Sequence, residues 1–250
     1  VPKSIDQDAS YFSVYSDNTS DEVEAGLFLQ FQTEYRAFKS IELQSTVSPN
    51  NPFHLTVLQS IGEAYLELGR WENAGRSFSQ LIDQFPNTPE AYRNRGNAYL
   101  ALGNVESAII DYGRAARVSP FDSANFLARG KGYATIGEFE KALSELQRAM
   151  RLDPFSHDLL FGTEGLCHYW LGDFDQAIDS FRKVKVLNRH LFYLALTYLK
   201  KGDRETAHEK LKEAQVVTGM NVDTFVVSEP YKNKEMVDEI QKNLQAIPKP

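Results

Sequence analysis

The sequence predicts an all-α solenoid of about five helix-turn-helix repeats with a capping helix at each end. Three observations predict it: a 34-residue period, helical spacing of apolar residues within each period, and prolines that recur where each period closes. Aligning LELGRWENAGRSF (66–78), LALGNVESAIIDY (100–112) and ATIGEFEKALSEL (134–146) puts Gly69, Gly103 and Gly137 in one column and Ala74, Ala108 and Ala142 in another. Ile61-Gly62, Arg95-Gly96 and Arg129-Gly130 precede Tyr65, Tyr99 and Tyr133, and Pro86, Pro120 and Pro154 close the units. A fourth copy (164–181) is displaced by one residue, and a fifth (194–211) follows 30 residues later.

Taken in order, residues 1–20 mix Ser, Asp, Asn and scattered Tyr and read as a peripheral arm. Residues 21–54 then supply a capping helix and connection, with Val23, Leu27, Phe31, Tyr35 and Phe38 along one helical face and Ser20 or Asp21 as N-cap. The array occupies 55–221, in units 55–88, 89–122, 123–157, 158–187 and 188–221. Within a unit, Leu58, Ile61, Tyr65 and Leu68 trace a helical stripe, and Gly69 offers the positive φ that ends the first helix. Gly62 and Ala74 sit where the two helices cross closely, beside Tyr65 and Phe78. The prolines cannot continue a helix and so mark the junctions. In units four and five, His168 stands in the tyrosine column, Ala195 in the glycine column, and the closing proline after unit four is missing, so stacking there should be less regular. Residues 222–250 read as a non-helical connection through GMNVDTFVVSEPY, followed by an amphipathic helix carrying Met236, Val237, Ile240, Leu244 and Ile247.

Composition limits the function. The 250 residues include 42% hydrophobic and 24% charged side chains, the range of folded globular chains. The formal charge of −7 is the opposite of a phosphate-binding footprint, so nucleic acid is not an expected partner. No stretch approaches the apolar length of a membrane span. Cys167 is the only cysteine, which leaves no intramolecular disulfide and no cysteine-based zinc cluster. The five histidines never fall into a paired metal-ligand spacing, and GKGYATIG (130–137) matches neither phosphate-loop pattern, so no cofactor or metal is expected and the chain reads as non-enzymatic. Cys167 beside His168 reads as a buried thiol rather than a nucleophile pair, because neighbours on a helix point in different directions. A cytoplasmic location is expected, or a periplasmic or secreted one if a leader preceded Val1.

The repeated columns closely resemble the tetratricopeptide repeat, whose 34-residue pattern runs through Gly, Tyr, Ala, an aromatic, Ala and Pro. This resemblance implies a right-handed superhelix whose first helices line a concave groove, and a protein or peptide as ligand. The segment from DPFSHDLL onward is also similar to the tetratricopeptide tails of bacterial class III nucleotide cyclases, which implies the alternative of a regulatory or sensory domain of a larger signalling protein.

Columns that vary among repeats are free for function. On the first helices these place Arg93, Asn94, Asn97 and Lys131 in a polar, locally basic stretch, and Leu159, Leu166, Tyr169, Trp170, Phe192, Tyr193 and Leu196 in an apolar one. A groove with a polar end and an apolar end suits a peptide, with the aromatics and Arg93 as anchors. The family's clamp for C-terminal carboxylates is not expected: Arg93 and Asn97 resemble its first pair, but Ala128, Leu159 and Thr163 stand where its other polar residues belong. The rival expectation is that the C-terminal helix or the N-terminal arm folds back over the aromatic cluster.

Overall fold

The repeating glycines set the architecture. In the computed structural model, which describes residues 54–155, 158–185, 189–229 and 234–247, Gly69, Gly103, Gly137, Gly172 and Gly202 all have positive φ, from 66° to 87°. Glycine enters left-handed backbone without steric penalty, so each of these residues closes a first helix and returns the chain as a second. The hairpins are α1 (His54–Glu67) with α2 (Trp71–Gln84), α3 (Pro89–Ala101) with α4 (Val105–Val118), and α5 (Ser123–Thr135) with α6 (Phe139–Leu152). They continue as α7 (Asp158–Leu171) with α8 (Phe174–Arg182), and α9 (His190–Lys200) with α10 (Arg204–Thr218). The second helices α2, α4 and α6 stop short of Pro86, Pro120 and Pro154, as proline's missing N–H requires. The edited fourth junction leaves α8 with 9 residues where α2, α4 and α6 have 14. The arm expected over 1–20 and the capping helix expected over 21–54 lie outside the described residues.

The chain divides into two compact units, Val1–Leu81 and Ile82–Pro250. In the first, Leu58, Ile61 and Ala64 of α1 and Ala74 and Phe78 of α2 are buried. In the second, the hairpins pack in chain order: α4 against α5, α6 against α7, α8 against α9. The first helices also touch one another, α3 with α5, α5 with α7 and α7 with α9, so they form one continuous layer. Among the described residues every regular element is a helix, and the second unit is a helical-repeat solenoid.

One contact recurs inside the hairpins at a separation of sixteen residues. A Cβ added to Gly62 would lie 2.6 Å from the Phe78 ring, one at Gly96 2.6 Å from the Tyr112 ring, and one at Gly165 2.6 Å from the Phe181 ring. At Gly130 it would meet the Ala142 carbonyl oxygen and the Leu146 side chain, both at 3.2 Å. Each ring therefore fills a space that glycine leaves open. In the fifth hairpin the pair is Ala195 and Leu211, a larger first residue opposite a smaller second one.

Beside this contact, at the same separation, the second and third hairpins carry an ion pair. Arg95 donates from Nε and Nη2 to the two oxygens of Asp111, at 2.7 and 2.9 Å, and Arg129 donates from Nη2 to Glu145 at 2.8 and 2.7 Å. Asp111 is buried, and the hydrogen bond to it holds the Arg95 guanidinium above its ordinary pKa against the opposing effect of burial. In the fourth hairpin Glu164 instead accepts from the Ser180 hydroxyl at 2.8 Å. The Arg95–Asp111 contact joins two nitrogens to two oxygens and so fixes rotation as well as separation, which sets the register of α3 on α4, whereas Arg129 reaches Glu145 through one nitrogen.

The segment read as a non-helical connection contains a short helix, α11 (Val222–Val227), before α12 (Lys234–Gln245). Its local cause is Asn221, whose side chain accepts from the Thr224 N–H at 2.9 Å as an N-cap. Its tertiary cause is the burial of Phe225 and Val226, a contribution that periodicity over six residues cannot reveal. No helix among the described residues is long and apolar enough to cross a membrane.

The glycine–ring contact generates a direct test. Gly96→Ala should cost about 1–3 kcal/mol, because the new methyl overpacks against Tyr112. Adding Tyr112→Leu should recover part of that loss, since it recreates the alanine–leucine pairing of the fifth hairpin. Chemical denaturation of both variants reads this, and additive losses in the double variant would contradict the pairing.

Candidate partner-binding surface

The layer of first helices, α3, α5, α7 and α9, carries all the residues singled out as a groove. Arg93, half-buried on α3, is committed to the next repeat: its Nη1 donates to Asp122 Oδ2 at 2.6 Å and to Asn125 Oδ1 at 2.9 Å. Asp122 also accepts from the Ala124 N–H at 3.0 Å, capping α5, and buried Asn125 donates to the Ser119 carbonyl at 3.2 Å. Arg93 thus pins the α4–α5 turn, and its charge is answered by Asp122. Asn94 is half-buried, while exposed Asn97 accepts from the Tyr112 hydroxyl at 2.9 Å.

Lys131 of α5 keeps an exposed position, yet the atoms around its stem and then the Arg189 charge hold its ammonium below the ordinary lysine pKa. Among the described residues no carboxylate lies within salt-bridge distance of it. Leu159, at the start of α7, is 51% exposed. Leu166 and Trp170 on the same helix are half-buried, and the Trp170 ring stacks on Phe139 with centroids 6.1 Å apart and planes 7° apart.

The remaining aromatic positions lie deeper. Tyr169, Phe192, Tyr193 and Leu196 are all buried in one core with Phe225 of α11 and with Ile240 and Leu244 of α12. The Phe192 and Phe225 rings stack at 4.1 Å, and Tyr193 meets Phe225 edge-on at 5.6 Å. Helix α12 packs on α9, its Glu239 takes an ion pair from Lys200 at 2.7 Å, and its Met236 sulfur lies 3.9 Å from where a Cβ on Gly137 would stand. The C-terminal helix therefore reaches from the third repeat's turn to the fifth repeat's first helix, and Phe192, Tyr193 and Leu196 lie beneath it and α11.

Two residues that sequence reading passed over fasten this cover. Glu229, with a side chain only 3% exposed, accepts from Arg189 Nη2 at 2.6 Å and from the Tyr193 hydroxyl, while Arg189 Nη2 also donates to the Ser228 carbonyl at 3.1 Å. Arg189 and Glu229 are forty residues apart and belong to no repeated column, so no periodic signal marks them. Burial raises the Glu229 pKa, and the bonds from Tyr193 and Arg189 only partly oppose it. Elsewhere, Cys167 is fully buried and its thiol is pushed up to about 12, chiefly by burial, which keeps it protonated. The His168 Nδ1 lies 3.5 Å from Asp173.

The Glu229 carboxyl binds its proton more tightly in the folded chain than in the unfolded one. Its contribution to stability is therefore full below about 4.5, the ordinary value, and declines as pH rises through the raised folded one. Glu229→Gln keeps an acceptor for Tyr193 and removes that titration. The variant should melt like the parent near pH 4 and gain on it toward pH 8, in paired thermal melts across that range. A difference independent of pH would show that burial does not govern this carboxyl.

The sequence matches the tetratricopeptide repeat model twice, over residues 60–123 and 127–190, which together span just over half of the chain. No curated protein matches. Among solved structures, a tetratricopeptide repeat protein from Parabacteroides merdae is similar at 16% identity with a TM-score of 0.64, covering 90% of this chain and 96% of its own. A thermophilic tetratricopeptide protein from Thermus thermophilus is similar at 24% identity and a TM-score of 0.58, covering 69% of this chain and 96% of its own. A chain of the Cut9–Hcn1 hetero-tetramer is similar at 17% identity and a TM-score of 0.67, covering 85% of this chain and 46% of its own. Those likenesses show the shared fold, and the two family matches, which span more than half of the chain, establish that the chain belongs to the tetratricopeptide repeat family.

Proposed function

We propose that this chain is a non-catalytic scaffold that binds a peptide or protein segment along the layer formed by α3, α5, α7 and α9. Repeats of this kind serve protein interaction in general; the groove is the finer reading. The observation that carries it is Lys131, an exposed cation on the first-helix layer that has no carboxylate within salt-bridge distance among the described residues. A nearby opposite charge favours the ammonium form, and an acidic side chain of a bound segment supplies one. Asn94 and Asn97 offer amides on the neighbouring first helix α3, and Leu159, Leu166 and Trp170 offer apolar surface on α7.

Phe192, Tyr193 and Leu196 enter this reading differently from the exposed residues. Being buried with α11 and α12, they meet a ligand only when those helices yield, so they act as a reserve of apolar surface and not as first contacts. Affinity purification with the intact chain tests the scaffold role. Lys131→Glu combined with Asn94→Ala should lose the partners recovered with the parent chain, at an unchanged melting temperature. Recovery of the same partners by parent and variant in equal yield would move the binding surface off these helices.

A further inference from the structure

The second and third repeats share a surface feature that helix packing does not demand. The segment RAARVSPF (114–121) recurs as RAMRLDPF (148–155), one period later, with Arg114 and Arg148, Arg117 and Arg151, and Phe121 and Phe155 in matching places. The arginines stand on the last turns of α4 and α6, and the phenylalanines on the turns that follow. Phe121 is 84% exposed and Phe155 87% exposed. Side chains that far out of the core gain little from burial, and these two stand at equivalent positions of adjacent hairpins.

The charges beside them are available. Arg117 and Arg151 are exposed and have no carboxylate partner among the described residues. Arg114 makes one 3.3 Å contact to Asp111, whose oxygens are already engaged by Arg95, and Arg148 lies 4.2 Å over the Phe126 ring. Of the neighbouring acids, Asp122 is paired with Arg93, and Asp153 accepts from the Phe155 N–H at 3.0 Å. Arg114, Arg117 and Val118 also line a cavity of about 660 Å³ with Asn87 and Tyr92, a wall with two guanidinium groups and no carboxylate. A cation in the last turn does favour a helix C-terminus, which accounts for one arginine per helix and for neither phenylalanine. The first repeat has Asp83 and Asn87 in the Arg117 and Phe121 columns, so the feature is not a property of the repeat itself.

We propose that these two Arg-Arg-Phe stations form a docking surface for an extended acidic segment of a partner protein, its carboxylates paired with the guanidinium groups and its apolar side chains laid against Phe121 and Phe155. Arginine matches a carboxylate with two parallel hydrogen bonds and is, with aromatic residues, a frequent interface anchor. The chain's formal charge of −7 opposes a polyphosphate far more than a segment with a few carboxylates, which favours peptide over nucleic acid. This surface lies on the second helices and the turns after them, apart from the first helices of the groove.

The test is fluorescence anisotropy of the full chain with a labelled dodecapeptide carrying four glutamates and two phenylalanines in a serine–glycine background. Saturable binding is expected, weakened at least ten-fold by Arg117→Glu with Arg151→Glu, at least five-fold by Phe121→Ser with Phe155→Ser, and progressively by salt. Arg204→Glu with Lys212→Glu, exposed on α10, makes the same charge change elsewhere and should leave binding within two-fold. Thermal melts confirm the fold, and Arg117→Gln with Arg151→Gln repeats the measurement if the reversed charges disturb it. No saturation at millimolar peptide, equal loss in the α10 control, equal affinity for a peptide with lysine in place of glutamate, or tighter binding of a twelve-residue oligouridine would each overturn the proposal.

Discussion

The approach of the two helices within a hairpin rests on a ring lying over a residue without a side chain. Where Gly62, Gly96 and Gly165 face Phe78, Tyr112 and Phe181, the backbone of the first helix is the floor on which the ring lies. The helix-closing glycines then hold the return turn, and the two-pronged contact of Arg95 with Asp111 sets rotation. The order of importance follows from burial. The rings and the small residues opposite them are inaccessible to water, whereas most of the other ion pairs stand at the surface, where they contribute little.

Repetition made most of this readable in advance. The glycine, alanine and proline columns recur because each hairpin meets the same packing problem, and a problem solved several times leaves a period in the chain. The ends of the second helices and the positive φ at the turns followed from residue type alone. The amphipathic stripe of Met236, Ile240 and Leu244 likewise announced a helix in need of a surface.

What escaped was non-repeating. Arg93 looked like a free cation because its partners, Asp122 and Asn125, belong to the following repeat and perform local capping tasks that hide the link. Phe192 and Tyr193 stood in variable columns and so looked available, but both are buried with α11 and α12, which belong to no repeated column. Helix α11 was passed over for want of length, although Asn221 three residues before Thr224 was a legible cap. Arg189 and Glu229 had no signal at all, because a contact made once between distant segments has no column to be compared with.

The Arg189–Glu229–Tyr193 cluster also bears on how the molecule matures. Contacts within and between the hairpins join residues near in sequence, the kind that forms quickly and can form while a chain is still emerging. Glu229 closes on residues 36 and 40 positions earlier, and α12 reaches back to the third repeat's turn. On a nascent chain the repeats can therefore be complete while Phe192 and Tyr193 are still uncovered, a transient greasy face in need of shelter. Holdase chaperones would find it there, and a ribosome pausing ahead of α12 would prolong their opportunity.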